Sequence, residues 1–168
     1  MTRRRLSALV ALLMLASVAL LSSSIATAHF GHGKDGLRAR LTGAQEVPPA
    51  DVDGRGTARF KIHQADSELC FKITFSRIAT PTAAHIHFAP KGVNGPVVVP
   101  LFAAATADDA FLDRLERGKA SGCVTVDPTL LQAIKDDPGA YYTNVHNARY
   151  PDGAIRGQLK GTGFHRHR

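Results

Sequence analysis

His85-Ile86-His87 places two imidazoles two residues apart. On a β-strand, residues i and i+2 point to the same side, so both rings leave one face while Ile86 enters the core. Their Cα atoms would stand about 6.5–7 Å apart from the strand rise, close enough to converge on one ion. A third ligand is available in His146, on the expected strand Ala140–Asn147. There Val145 would face the core, and Tyr142, Asn144 and His146 the other side. His63, at the end of an earlier strand, is a possible fourth. Imidazole donors favour Cu(II) or Zn(II), whereas an oxygen-ligated ion such as calcium finds no obvious cage. The competing reading is a polar, solvated strand face, or histidines bonded to loop carbonyls.

Other chemistry is thinly represented. Cleavage after Ala28 would leave His29 with a free α-amino group, which with its ring can chelate copper; His32, His165 and His167 could contribute. There is no G-x-S-x-G elbow, no Gly-rich phosphate loop, no H-E-x-x-H and no C-x-x-C, so no catalytic residue is named. Glu46 could act as a general base but has no partner at a defined spacing, and is expected to fix its proline-rich loop by hydrogen bonding. Arg156 could pair with an acid or steer an anion, most simply as a surface ion pair. Cys70 and Cys123 are the two cysteines of the chain. In an oxidising compartment they would form one disulfide; two buried thiols are the alternative. A bridge would close a loop of roughly 50 residues, worth ~3–4 kcal/mol in the chain-entropy model.

The elements that must position these residues follow from the patterning. Residues 1–28 read as a secretory signal peptide: Arg3-Arg4-Arg5, an uncharged apolar run from Leu6 to Leu21, then Ala26-Thr27-Ala28 before the cut at Ala28/His29. The run is short for a membrane span, which needs ~20 apolar residues. Thr2-Arg3-Arg4-Arg5-Leu6 also partly matches a twin-arginine signal, which leaves the export route open. Residues 29–36 form a His/Gly-rich lead-in, 37–160 the domain, and 161–168 a basic His/Arg tail.

Within the domain, Leu37–Leu41 and Thr57–His63 alternate apolar and polar residues at period two. Gln64–Ser67 makes a hairpin turn into Leu69–Phe75, and Gly43–Gly56 reads as a long loop. Further strands are expected at 84–89, 96–102, 121–126, 140–147 and 154–160. Short helices are expected at 107–117 and 129–135, the second opened by Asp127 as N-cap and Pro128 as first residue. Eight short strands at hairpin spacing imply an all-β, antiparallel Greek-key sandwich or barrel with short helices in connections.

Composition narrows the partners. The 168 residues carry 21 Lys and Arg against 14 Asp and Glu. Without the three signal arginines the balance is 18 to 14, a mild +4 on the remaining 140 residues, with cations scattered along the sequence. That argues against nucleic acid. No second apolar stretch could span a membrane once the signal is removed. All eight histidines follow residue 28.

Three ordered segments resemble the chordin-type (CHRD) domain family, over about Leu37 to Lys160. They are Leu41-Thr42-Gly43-Ala44-Gln45-Glu46-Val47-Pro48-Pro49; Ala84-His85-Ile86-His87 running on through Gly92-Val93-Asn94-Gly95-Pro96-Val97-Val98; and Tyr142-Thr143-Asn144-Val145-His146-Asn147 with Tyr150-Pro151-Asp152-Gly153-Ala154-Ile155-Arg156-Gly157-Gln158-Leu159. The family usually has Glu where Ala154 stands, which puts any role of that acid in doubt here. The resemblance implies an immunoglobulin-like sandwich in an exported protein that binds an extracellular protein or surface ligand, without an established catalytic activity. The H-x-H pair is also similar to that of copper–zinc superoxide dismutase, an analogy of motif and architecture whose further ligands do not map here. The two functions to weigh are therefore a secreted binding or structural module, and a copper or zinc protein for storage or superoxide-dismutase-like redox chemistry.

Overall fold

The structure is a computed structural model that describes residues 36–163. The expected signal peptide with its Ala28/His29 cut, nearly all of the lead-in, the N-terminal His29 chelate and the His165/His167 tail lie outside the described residues.

Among the described residues the alternating segments form nine strands: β1 (Gly36–Thr42), β2 (Arg55–His63), β3 (Glu68–Ser76), β4 (Pro81–Phe88), β5 (Val97–Ala103), β6 (Lys119–Thr125), β7 (Tyr141–Asn147), β8 (Ile155–Gln158) and β9 (Lys160–Gly161). Each expected strand is present, the last divided into β8 and β9. The helices are α1 (Asp109–Glu116) and α2 (Pro128–Asp136). Asp108 caps α1 by accepting from the Phe111 N–H. Asp127 caps α2 by accepting from the Thr129 and Leu130 N–H groups, with Pro128 opening the helix as its fixed φ favours.

The described strands pair antiparallel in one path, β5-β4-β7-β8-β1-β2-β3-β6, with β9 beside β1. The expected all-β antiparallel class with short helices in connections is present, but as a single hydrogen-bonded sheet. That sheet curls until its ends approach and is nearly closed: the rings of Phe71 on β3 and Phe102 on β5 stack at 6.3 Å. Inside the curl lie Leu37, Leu41, Phe60, Phe71, Ile86, Val145 and Ile155, joined by Leu115 of α1 and by Leu131 and Ile134 of α2. Rolling the sheet buries one face of β1 to β5, so there alternation decides which side chains are left on the outside.

Candidate metal centre

The period-two reading of β4 and β7 holds at atomic level. Ile86 and Val145 are fully buried in the core, whereas His85, His87 and His146 stand on the outer face. The register opposes His85 to Asn144, His87 to Tyr142 and Ala83 to His146, so His146 lies diagonally across from His85. On its other side β4 slips twice against β5, between Ala84 and His85 and again between Ile86 and His87. Irregularities of this kind turn side chains locally, and here they sit at the two histidines.

One ring nitrogen from each of the three histidines lies within 4.8 Å of the others. His85 Nδ1 is 3.1 Å from His146 Nε2. Two imidazole nitrogens on one tetrahedral zinc stand about 3.3 Å apart, given bonds near 2.05 Å. Backbone carbonyls fix the tautomers of two rings. His87 Nδ1 donates to Gly95 O at 2.9 Å, and His146 Nδ1 donates to Pro151 O at 2.8 Å. Neutral rings therefore keep their lone pairs on Nε2, and both Nε2 atoms lie 3.0 Å from Asn144 Oδ1. An Nδ1–H tied to a carbonyl with Nε2 left for coordination is the usual outer-shell arrangement of metal-binding histidines.

The same crowding favours the uncharged form of His85 and His146. Burial, and then the neighbouring His146 and His87, push His85 down to about 4. His146 is also lowered, chiefly by burial, against the raising effect of its bond to Pro151. His87 is buried and stacks on the Tyr142 ring at 4.7 Å with planes 9° apart. His85 is the most accessible of the three and gives the cluster its opening to solvent.

A second polar layer lies beside the cluster, and two expectations are corrected there. Arg156 is no surface residue; it is 2% exposed. Its guanidinium donates to Asn94 Oδ1 at 2.8 Å and to Val93 O at 2.6 Å, and its carbon sits 3.6 Å from the Tyr142 ring centroid. Alternation on β8 sends Ile155 into the core and Arg156 outward, where the loop 89–96 covers it. Glu46 does not tie its loop down as expected: it is buried, and its Oε1 has no hydrogen-bond partner. Gly153, at φ 135°, lies against that carboxylate so closely that a Cβ would come within 2.5 Å of Oε1. Desolvation raises Glu46 to about 7, although Arg156 pulls the other way.

His63 is not brought to the three histidines. It ends β2 opposite Glu68, grouped with Glu68 and Cys70. Cys70 is committed to a disulfide with Cys123, directly across β3 and β6. What sequence reasoning missed is the part played by Asn144 and by the Gly95 and Pro151 carbonyls. Alternation had put Asn144 on the right face, but only the strand register shows it between two imidazoles.

The family model of the CHRD domain matches residues 37–159, which run from the second residue of β1 through β8 and include all three clustered histidines. No curated protein and no solved structure matches the chain.

Proposed function

From the premise that this chain belongs to the CHRD domain family, we propose that it is an exported, single-domain module whose His85, His87 and His146 hold one Cu(II) or Zn(II) ion. The observation that carries this reading is the convergence of the His87 and His146 Nε2 lone pairs, these two rings oriented by backbone carbonyls, beside His85 Nδ1. Three imidazoles and an accessible side leave a coordination position open to water or to a donor from a partner. The ion would brace β4 against β7 and present a charged point on the outer face. A binding or structural role fits the family. Superoxide-dismutase-like redox chemistry is the second reading, and the open position is what favours it.

Export is part of the proposal. The signal-like N-terminus and the Cys70–Cys123 bridge support it. Among the described residues, no helix is long and apolar enough to cross a membrane.

Residues 29–168, stripped with chelator and titrated with Cu(II) and with Zn(II), should bind one ion with a Kd below ~1 μM. The His85→Ala/His87→Ala variant should lose that binding. Equal binding by the variant ends the proposal, and loss only on trimming residues 29–33 assigns the ion to the N-terminus. Superoxide dismutation by the copper form, absent from the variant, would establish the second reading.

A further inference from the structure

The cations that the sequence scatters are collected by the fold. On β1, β2 and β3 the core residues alternate with outward positions, and the register aligns those positions across strands. Lys160, Arg38, Arg59 and Lys72 form one row over β9, β1, β2 and β3, each directly opposite the next. All four are exposed. Among the described residues no carboxylate makes an ion pair with any of them. Like charges directly opposite destabilise a sheet, so this row works against the fold that carries it. The adjacent row reads Arg40, Thr57, Thr74, Lys119, with the two threonine hydroxyls 2.8 Å apart. A groove between the rows is lined by Arg38, Arg40, Thr57, Arg59 and Lys160, and a second beside Thr57 and Thr74 by Arg40 and Arg55.

The chemistry of the face restricts its occupant. A row of four cations at the ~4.8 Å strand spacing is matched by a linear polymer with an anion at each repeat. The outward positions of β1, β2 and β3 carry no Phe or Tyr, and the chain has no Trp, so no platform exists for stacking unpaired bases. The exposed large apolar residues, such as Val52, Phe88, Val93 and Val97, lie on loops and on β4 and β5, so this face has nothing to insert into a bilayer. One pyranose ring is about as long as the gap between neighbouring strands.

We infer that this face binds a linear acidic polysaccharide, laid across the strands with successive carboxylate or sulfate groups over Lys160, Arg38, Arg59 and Lys72, and with hydroxyls of Thr57 and Thr74 beside the sugar rings. The surface is distinct from the histidine cluster on β4 and β7, and its binding needs no metal.

The test uses the full chain, with polyuronate and dextran sulfate as probes and binding measured over a range of salt. The wild type should bind both, more weakly as salt rises. Arg38→Gln/Arg59→Gln should weaken binding about tenfold or more and flatten the salt dependence, as expected when two counterion-releasing contacts are lost. It should not lower thermal stability, because it relieves cross-strand repulsion. Lys91→Gln/Arg149→Gln removes the same charge elsewhere and should leave affinity within about twofold. Equal loss in both variants would reduce the effect to net charge and overturn the inference. So would failure of the wild type to bind either probe, or tighter binding to duplex DNA or to anionic phospholipid vesicles.

Discussion

The Arg156 guanidinium carbon lies 3.6 Å from the centroid of the Tyr142 ring, and the His87 imidazole stacks on that same ring at 4.7 Å. Arg156 also holds the 89–96 loop through Asn94 and Val93, and that loop supplies the Gly95 carbonyl that orients His87. One arginine thus positions His87 by two routes. Lysine keeps the charge but loses the planar fork and the stacked plane. Arg156→Lys should lower stability by about 2 kcal/mol in urea denaturation. It should also weaken zinc binding about tenfold in the folded protein. A lower stability with unchanged zinc affinity would confine Arg156 to the scaffold.

Asn144 offers a sharper probe of the cluster, since its Oδ1 lies 3.0 Å from both Nε2 atoms. Asn144→Asp changes almost no volume and adds a negative charge where the lone pairs meet. If an ion sits there, zinc affinity by competition with a chromogenic chelator should rise about tenfold or more at neutral pH. An unchanged or lower affinity would place the ion elsewhere.

How much of this was legible in the sequence follows from which side chains obey a period. Alternation around Ile86 and Val145 was sufficient to put His85, His87, Asn144 and His146 on one outer face. Asp127-Pro128 marked the start of α2, and Cys70 and Cys123 lay on strands that do pair in register. Period two, however, separates only two sides; it does not say whether the outer side is covered. Arg156 reads as a surface group and Glu46 as a hydrogen-bonded loop brace, because nothing local shows the burial of either. Strand order was equally hidden, since β1 finds β8 and β9 across more than a hundred residues. That order is also what turns scattered lysines and arginines into rows.

The Cys70–Cys123 bridge ties β6 to β3 across 53 residues of sequence, and β6 ends the path of paired strands. The chain-entropy relation for a loop of that length gives ~4 kcal/mol. Cys70→Ala/Cys123→Ala should therefore lose about 3–4 kcal/mol in chemical denaturation. Amide exchange should accelerate first in β6, which has one ladder to lose. A loss under ~1 kcal/mol would mean that the β3–β6 ladder holds without the cross-link.

Two buried groups give the metal-free protein opposing responses to pH. Glu46 titrates near 7 when folded, against an ordinary 4.5, so the folded form binds the extra proton between those values. Its contribution to stability therefore falls as pH rises through the window and is fully lost above about 7. His85 runs the other way. Folded near 4 against an ordinary 6.5, it leaves the extra proton on the unfolded chain, so stability rises with pH across that range. His146, lowered likewise, adds to the His85 slope. The two effects overlap and partly cancel in the wild type, so single substitutions should unmask each. With chelator present, Glu46→Gln should steepen the rise of the urea midpoint with pH, and be on the order of 1–3 kcal/mol more stable than wild type near pH 8. His85→Ala should flatten or reverse that rise. A Glu46→Gln profile superimposable on the wild type would show that the Glu46 carboxylate is ionised in the fold at neutral pH, and that Arg156 outweighs its burial.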